Sequence, residues 1–322
     1  MNSRVLFTVT LQAAVWFCSF TNVAQAQAGA GSIPSGETDQ ADLSSLKKNA
    51  ETGDVKAEYL LGWSYMNGTH VPQDYPEAAK WYREAAAQGS ADAEFGLGFL
   101  YEHGKGVRQD NREAVAHYTT AAKRGHAIAQ NNLASMYERG DGVRRNPGEA
   151  TRWYRAAAGQ GEVTAQCNLA SLYFRGKGVA QDYAEAAQWF RAAADRDYPP
   201  AQDNLAWMYY TGTGVTLDYS EAAKWVQRAA AHGYARAQVD LGYLYEQGKG
   251  VPLDYVSAYA WYKLAAAGGD SRGSERMESL SRVMTHKQIS EASSRAAQFP
   301  ASRLPREGVS NSNGITSSFA QR

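Results

Sequence analysis

The sequence has few cysteines, few prolines and no excess of either charge. Its 322 residues include 2 Cys and 9 Pro, and 33 Lys and Arg residues balance 33 Asp and Glu residues. Two cysteines exclude a disulfide-rich scaffold and a four-cysteine zinc site. A net charge of zero argues against a dedicated nucleic-acid-binding protein. Glycine and tyrosine, by contrast, are abundant, with 30 and 20 copies, which indicates that the chain uses both systematically.

The longest apolar run occurs at the N-terminus. Arg4 precedes a mostly apolar segment at 5–20, and residues 24–26 read Ala-Gln-Ala, the small-x-small pattern of a signal-peptidase site. This combination predicts a secretory signal peptide over 1–26, cleaved near Ala26, and a periplasmic or secreted mature protein whose one cysteine, Cys167, forms no internal disulfide. An uncleaved membrane anchor is the alternative, but the run contains several polar residues and is short of a full span.

A 36-residue period organises most of the chain. An alanine, a leucine four residues later and a tyrosine eight residues later recur together in six copies. This spacing places the three residues on one stripe of a helix, which we call helix A of each unit. The recurring triplets are Ala57/Leu61/Tyr65, Ala93/Leu97/Tyr101, Ala129/Leu133/Tyr137, Ala165/Leu169/Tyr173, Ala201/Leu205/Tyr209 and Ala237/Leu241/Tyr245.

A second helix, helix B, follows each helix A after a glycine-containing loop. In the second unit the loop contains Gly104, Gly106 and Asp110. Glycine permits the positive φ angles that end a helix and reverse the chain, and Asp or Asn is a favoured N-cap for the helix that follows. Helix B carries a recurrent Trp, replaced by His117 in the second unit, then an Ala-Ala pair. Small residues let helices approach closely, and the aromatic ring fills the space between units.

The whole unit reads A-x-x-x-L-G/A-x-x-Y-x-x-G-x-G-V-x-x-D-x-x-x-A-x-x-W-Y/F-x-x-A-A-x-x-G and resembles the Sel1-like repeat, a relative of the tetratricopeptide repeat. Six copies cover about two thirds of the chain, at 57–92, 93–128, 129–164, 165–200, 201–236 and 237–272. The resemblance implies an all-α fold, a right-handed α-solenoid of helix-turn-helix repeats, and an adaptor that binds other proteins.

The residues that flank the repeats predict covers for the two ends. Terminal repeats need such covers because their core-facing sides have no neighbouring repeat. Thr285 and Gln288 have the spacing of a capping box at the start of the last predicted helix. The predicted segments are a flexible linker at 27–42, an N-terminal capping helix at 43–56, C-terminal capping helices at 273–299 and a disordered tail at 300–322.

The sequence contains no recognisable catalytic or metal-binding motif. The Gly-Lys-Gly tripeptides lack the spacing of a P-loop, the 6 His form no H-x-x-x-H pattern, and Cys167 has no base at motif spacing. We therefore predict no catalytic residue, no metal and no cofactor. The resemblance leaves one enzymatic alternative, an enzyme of the cell envelope acting on peptidoglycan or a β-lactam. The cysteine-rich relatives linked to such activity carry paired cysteines in every repeat, unlike this chain.

The same resemblance implies that helix A lines a concave face, so residues beside the Ala-Leu-Tyr stripe predict a partner-binding groove. Asn amides suit the backbone of an extended peptide, Arg suits a carboxylate, and aromatic rings suit apolar side chains. The alternative for the Asn residues is a bond to the neighbouring helix. The predicted contact residues are Trp63, Phe99, Asn131, Asn132, Arg139, Asn168, Arg175, Asp203, Asn204, Trp207 and Tyr243.

These observations together predict a non-enzymatic exported scaffold or adaptor that binds a protein or peptide partner. We expect a monomer that binds no nucleic acid and has no membrane span once the signal peptide is removed. The resemblance suggests roles in envelope signalling, polysaccharide export or host interaction, and the sequence does not choose among them.

Overall fold

The computed structural model describes residues 40–299, so the predicted signal peptide, most of the predicted linker and the tail at 300–322 lie outside the described residues. Residues 40–299 form fifteen helices and no strand, which confirms the all-α prediction. In chain order the helices are α1 (Gln40–Glu51), α2 (Val55–Asn67), α3 (Tyr75–Ala87), α4 (Ala91–His103), α5 (Asn111–Lys123), α6 (Ala127–Arg139), α7 (Pro147–Gly159), α8 (Val163–Arg175), α9 (Tyr183–Ala194), α10 (Pro199–Thr211), α11 (Tyr219–Ala231), α12 (Ala235–Gln247), α13 (Tyr255–Ala267), α14 (Ser271–Ser281) and α15 (His286–Ala297).

The helices alternate as the repeat pattern predicts. The A helices are α2, α4, α6, α8, α10 and α12, and the B helices are α3, α5, α7, α9, α11 and α13. Every B helix begins after a residue whose side chain accepts a backbone N–H of its first turn, which confirms the predicted N-caps. These caps are Asp74, Asp110, Asn146, Asp182, Asp218 and Asp254.

The paired glycines of each loop have different tasks, as the second loop illustrates. Gly104 ends α4 in the left-handed region with φ of 62°, which glycine adopts without steric cost. Gly106 also has a positive φ, and a Cβ there would lie 2.3 Å from the carbonyl carbon of Tyr75 at the start of α3. The second glycine therefore permits direct backbone contact between the loop and the preceding hairpin.

The described chain forms two compact units, and the division falls between α8 and α9. The N-terminal unit contains α1 to α8 and the C-terminal unit contains α9 to α15. Within each unit an A helix packs against the B helix before it. It also packs against the B helix after it where that helix belongs to the same unit. No B helix precedes α2, so α2 packs against the N-terminal cover α1 as well as against α3.

Tyrosine provides the largest core side chains of the N-terminal unit. Tyr82, Tyr118 and Tyr154 of the B helices are at most 1 % exposed. Burial of a large side chain contributes about 1.5–3 kcal/mol relative to leaving it exposed, so these rings contribute substantially to stability. The recurrent Trp stands one residue earlier and is only half-buried at Trp81 and Trp153. The residue after the Trp, and not the Trp itself, is therefore the central core position.

Both ends of the repeat array are covered. Helix α1 spans Gln40–Glu51 instead of the predicted 43–56, because Asp54 caps α2 and starts it at Val55. Its Ala50 packs with Ala57 and Leu61 of α2. At the other end α14 and α15 both pack against α13. The predicted capping box is present at the start of α15, between Thr285 and Gln288. No helix within 40–299 combines the length and the apolar character needed to cross a membrane.

Candidate partner-binding surface

The eleven predicted contact residues lie on the A helices. We use the term A face for the helix positions of these residues and of their equivalents in the other repeats. The A face differs between the two units, so each is described separately. The structure places some of the predicted residues at the surface and buries others.

Aromatic rings dominate the A face of the first two repeats. Trp63 of α2 and Phe99 of α4 lie with Tyr59 and Phe95 around a small cleft between the two helices. Tyr59 and Trp63 are half-exposed, whereas Phe95 and Phe99 are 7 % and 5 % exposed. The cleft holds about 10 Å³ for a water-sized probe, which is close to the volume that one water molecule needs. Trp63 and Phe99, two of the predicted contact residues, therefore lie around the same cleft.

A glycine allows the rings to pack this closely. Gly96 of α4 lines the cleft, and a Cβ at this position would lie 2.6 Å from the ring of Tyr82. The Tyr82 ring is therefore packed directly against the backbone of α4 and also stacks on Tyr59, with ring centroids 5.9 Å apart. This packing holds the Tyr59 side of the cleft in place.

A carboxylate lies at the edge of the same cleft. The side chain of Asp92, in the first turn of α4, is 57 % exposed and lies 3.4 Å from Nε2 of His126. The His126 ring stacks on Phe95 at 4.6 Å, and its Nδ1 accepts the backbone N–H of Ala129 as the N-cap of α6. Burial lowers the pKa of His126, and the charge of Asp92 opposes this shift. His126 is therefore largely neutral at neutral pH.

The asparagine row of the N-terminal unit is mostly internal. Nδ2 of Asn168 donates to Oδ1 of Asn131 at 3.1 Å, and Nδ2 of Asn131 donates to Oδ1 of Asn132 at 3.3 Å. Asn131 and Asn168 are 9 % and 5 % exposed, whereas Asn132 is half-buried. The bond between α6 and α8 corresponds to the alternative that the sequence analysis left open. Asn132 is the amide of this group that retains accessible surface.

The two arginines predicted to hold a partner's carboxylate already contact carboxylates of their own unit. Arg139 bonds Asp141 at 2.5 Å and lies 3.6 Å from Glu102. Arg175 lies 3.3 Å from Glu138, whose side chain is only 3 % exposed. Burying the Glu138 carboxylate requires compensation, and Arg175 provides part of it. A partner's carboxylate would have to compete with these internal acceptors.

The predicted residues of the C-terminal unit are buried. Trp207 and Tyr243 are 8 % and 9 % exposed, and Asn204 donates to the carbonyl of Pro200 at 2.9 Å. Asp203 is 1 % exposed and lies 3.1 Å from Nε of Arg236, itself 7 % exposed. Burial raises the pKa of the Asp203 carboxyl, and Arg236 opposes the shift. In this unit the predicted contact residues are therefore internal packing residues.

Sequence reasoning missed a bond that joins the two helices of a hairpin. The hydroxyl of Tyr118 donates to Glu102 at 2.7 Å, and that of Tyr154 donates to Glu138 at 3.3 Å. The same pair recurs in the C-terminal unit, where Tyr262 donates to Glu246 at 2.5 Å. Repeats without the tyrosine also lack the glutamate, since the equivalent positions read Phe174/Phe190 and Tyr210/Val226. In these two repeats both residues of the pair change together, and this joint change at positions 16 residues apart is the sequence signal for the bond.

A glutamine ladder was missed as well. In four repeats the fourth residue of helix A donates its side-chain amide to a backbone carbonyl in the last turn of the preceding B helix. The pairs are Gln130 with Ala122 and Gln166 with Ala158 in the N-terminal unit, and Gln202 with Ala194 and Gln238 with Ala230 in the C-terminal unit. The recurrent Gln therefore joins neighbouring helices of the repeat and is not part of the A face.

Residues 40–299 contain no cluster of three or more His, Cys, Asp or Glu that would hold a metal ion. Cys167 is fully buried in α8. Its burial supports a structural role over that of an exposed nucleophile. Cys18 lies outside the described residues.

Comparisons with known proteins agree with the repeat pattern. The family model of the Sel1 repeat matches six consecutive segments, at 55–90, 91–126, 127–162, 163–198, 199–234 and 235–270. These segments begin two residues before the units defined from the sequence. A comparison with curated proteins found no match.

Two solved structures are similar over most of the chain. A protective antigen of uropathogenic Escherichia coli, described as displaying an SLR fold, is 34 % identical with a TM-score of 0.73. The match covers 80 % of this chain but 56 % of that one, so this chain spans little more than half of the antigen's length. A Sel1 repeat protein from Oxalobacter formigenes is 30 % identical with a TM-score of 0.64, over 70 % of this chain and 93 % of its own.

Proposed function

This chain belongs to the Sel1 repeat family, and from that premise we propose that it is a non-enzymatic exported scaffold that binds a protein or peptide partner through the A face of its N-terminal unit. Sel1 repeat proteins commonly mediate protein–protein interactions, and the fold is typically non-catalytic. Envelope signalling, polysaccharide export and host interaction are the settings in which such a scaffold would act.

The aromatic cleft between α2 and α4 is the observation that supports this site. Trp63 and Tyr59 are half-exposed on adjoining turns of one helix, and the rings of Phe95 and Phe99 lie beside them. Trp and Tyr are enriched among the residues that contribute most to protein interfaces, because they bury a large area at little cost in conformational entropy. The equivalent rings of the C-terminal unit, Trp207 and Tyr243, are already buried.

Partner capture tests the site directly. We expect Trp63→Ala to reduce capture of a partner crosslinked in the native envelope by at least about tenfold, since removal of a central aromatic anchor costs about 2 kcal/mol or more. Trp153→Ala is the matched control, because Trp153 is a half-buried Trp on a B helix of the same unit. Equal capture by wild type and folded Trp63→Ala protein would rule out this surface. Asn132→Ala tests the accessible amide in the same way.

The proposed export and lack of catalysis have separate tests. Mass spectrometry of protein from the periplasm or the medium should place the mature N-terminus near Gln27. A retained leader would contradict cleavage. Incubation with labelled penicillin and with peptidoglycan should produce neither covalent labelling nor turnover, and either result would contradict a purely non-enzymatic scaffold.

A further inference from the structure

We propose that the cleft between Trp63 and Phe95 binds a lysine side chain of the partner, with aromatic rings around its ammonium group and the Asp92 carboxylate as counter-charge. This inference rests on the proposed function and specifies the chemistry of that site. All of the residues concerned belong to the first two repeats of the N-terminal unit.

The rings of the cleft suit a cation because aromatic faces carry a negative electrostatic potential. Four aromatic residues, Tyr59, Trp63, Phe95 and Phe99, line one small space. Three of them are held by further stacking, Tyr59 on Tyr82 at 5.9 Å, Phe95 on His126 at 4.6 Å and Phe99 on His103 at 4.2 Å. A rigid group of rings loses little entropy on binding, so more of the interaction energy appears as affinity.

Charge complementarity selects the sign of the occupant. Asp92 lines the cleft, and its side chain is 57 % exposed. Its nearest basic group is the His126 ring at 3.4 Å, and burial lowers the pKa of that ring. Lys105 lies near these rings as well, with its Nζ 5.3 Å from the centroid of Phe99. At neutral pH a cation is therefore attracted to the Asp92 end of the cleft and repelled from the Phe99 end.

The size of the cleft favours an ammonium group over a guanidinium. A volume of about 10 Å³ admits one water-sized group, and an ammonium is of that size, whereas the planar guanidinium is larger. The lysine stem would then lie on the half-exposed Trp63 and Tyr59. Nε1 of Trp63 is buried and has no hydrogen-bond partner among the described residues.

The repeat already places its own lysines in this way. Nζ of Lys105 lies 5.1 Å from the centroid of Tyr75 as well as near Phe99, in the N-terminal unit. In the C-terminal unit, Nζ of Lys249 lies 4.8 Å from the centroid of Tyr210 and 5.1 Å from that of Tyr219. A lysine ammonium over aromatic rings is thus a contact that this sequence uses repeatedly, and the cleft offers rings and a carboxylate for one more.

Nuclear magnetic resonance on the full-length mature protein tests the inference. The probe is Nα-acetyl-lysine methylamide, and the signal is the indole N–H resonance of Trp63, assigned by its loss in Trp63→Phe. We expect a saturable shift with a dissociation constant on the order of 10 mM, typical of a single-residue ligand whose few contacts contribute about 3 kcal/mol. The norleucine analogue, which lacks the charge, and the arginine analogue should each bind at least about fivefold more weakly.

Asp92→Asn should weaken the lysine probe about fivefold, a change equivalent to about 1 kcal/mol. Glu113→Gln is the matched control, because Glu113 is a first-turn carboxylate of α5. It should leave binding of the lysine probe unchanged, since Glu113 does not line the cleft. Circular dichroism confirms that both variants are folded. Equal binding of lysine and norleucine, or no effect of Asp92→Asn, would overturn the lysine assignment, and equal binding of the arginine analogue would overturn the selection by size.

The two proposals fail in distinguishable ways. If Trp63→Ala abolishes partner capture while the lysine probe leaves the Trp63 resonance unchanged, the partner-binding surface stands and the lysine inference is wrong. If Trp63→Ala leaves partner capture intact, the surface is wrong, and a lysine response at Trp63 would then report a cation site unrelated to that partner.

Discussion

The A helices of the N-terminal unit are anchored by polar side chains at both ends, whereas those of the C-terminal unit are anchored by burial. Asp54, Ser90, His126 and Glu162 each accept a first-turn N–H. Tyr198 and Tyr234 occupy the equivalent positions of α10 and α12 and make no such cap bond.

The loops show the same contrast. Gln73, Gln109, Arg145 and Gln181 each donate to a carbonyl in the last turn of the preceding A helix. In the C-terminal unit Leu217 and Leu253 replace them and are 51 % and 61 % exposed. The same repeat backbone therefore forms with local polar anchors or without them. A unit whose helices are secured at their ends can leave part of its A face exposed for a partner.

The largest expected effect concerns the buried ion pair of the C-terminal unit. Asp203→Ala should destabilise this unit by about 3–5 kcal/mol, because it removes the carboxylate that lies 3.1 Å from the buried Arg236 charge. Asp203→Leu combined with Arg236→Met should recover most of the loss, since replacing a buried pair with apolar residues is often neutral. Urea unfolding measures both variants. A loss below about 1 kcal/mol for Asp203→Ala would show that burial and not the ion pair anchors these helices.

Exchanging the loop residues between the units should alter stability in opposite directions. Leu253→Gln should stabilise the C-terminal unit by about 0.5–1 kcal/mol, because the amide gains a carbonyl acceptor and an exposed apolar side chain is removed. Gln109→Leu should destabilise the N-terminal unit by a similar amount, since Gln109 donates to the carbonyl of Glu102 at 2.9 Å. Thermal unfolding of the two variants compares them. If both substitutions changed stability in the same direction, the loop residues would not explain the difference between the two units.

The smallest effect concerns a cap that titrates. Because burial lowers the pKa of His126 in the folded protein, its contribution to stability is present above the unfolded pKa of about 6.5 and is lost as the pH falls below it. Protonation of Nδ1 removes the acceptor for Ala129, at a cost of about 0.5 kcal/mol. His126→Ser, the residue found at position 90 of the preceding repeat, should remove this part of the pH dependence. Identical slopes of stability between pH 7 and pH 5 would contradict the role of His126 as a cap.

The recurring residues were predictable because their effects are local. The Asp110 side chain accepts backbone N–H groups in the first turn of α5, and the positive φ angle of Gly104 ends α4. Neither depends on what the rest of the chain does, so spacing alone was sufficient. The positions on the A face were less predictable. Asn131 and Asn132 are adjacent in sequence, yet one is buried against α8 and the other retains surface.

The sequence by itself determined the helical period, the caps and loop glycines between helix A and helix B, and the family, because capping, glycine conformation and helical spacing act over a few residues. Tertiary structure alone decided which A-face residues reach solvent. Trp63 and Trp207 occupy equivalent positions, but Trp63 is half-exposed whereas Trp207 is 8 % exposed. The difference arises because accessibility depends on the size and charge of side chains from neighbouring helices, which lie tens of residues away in sequence.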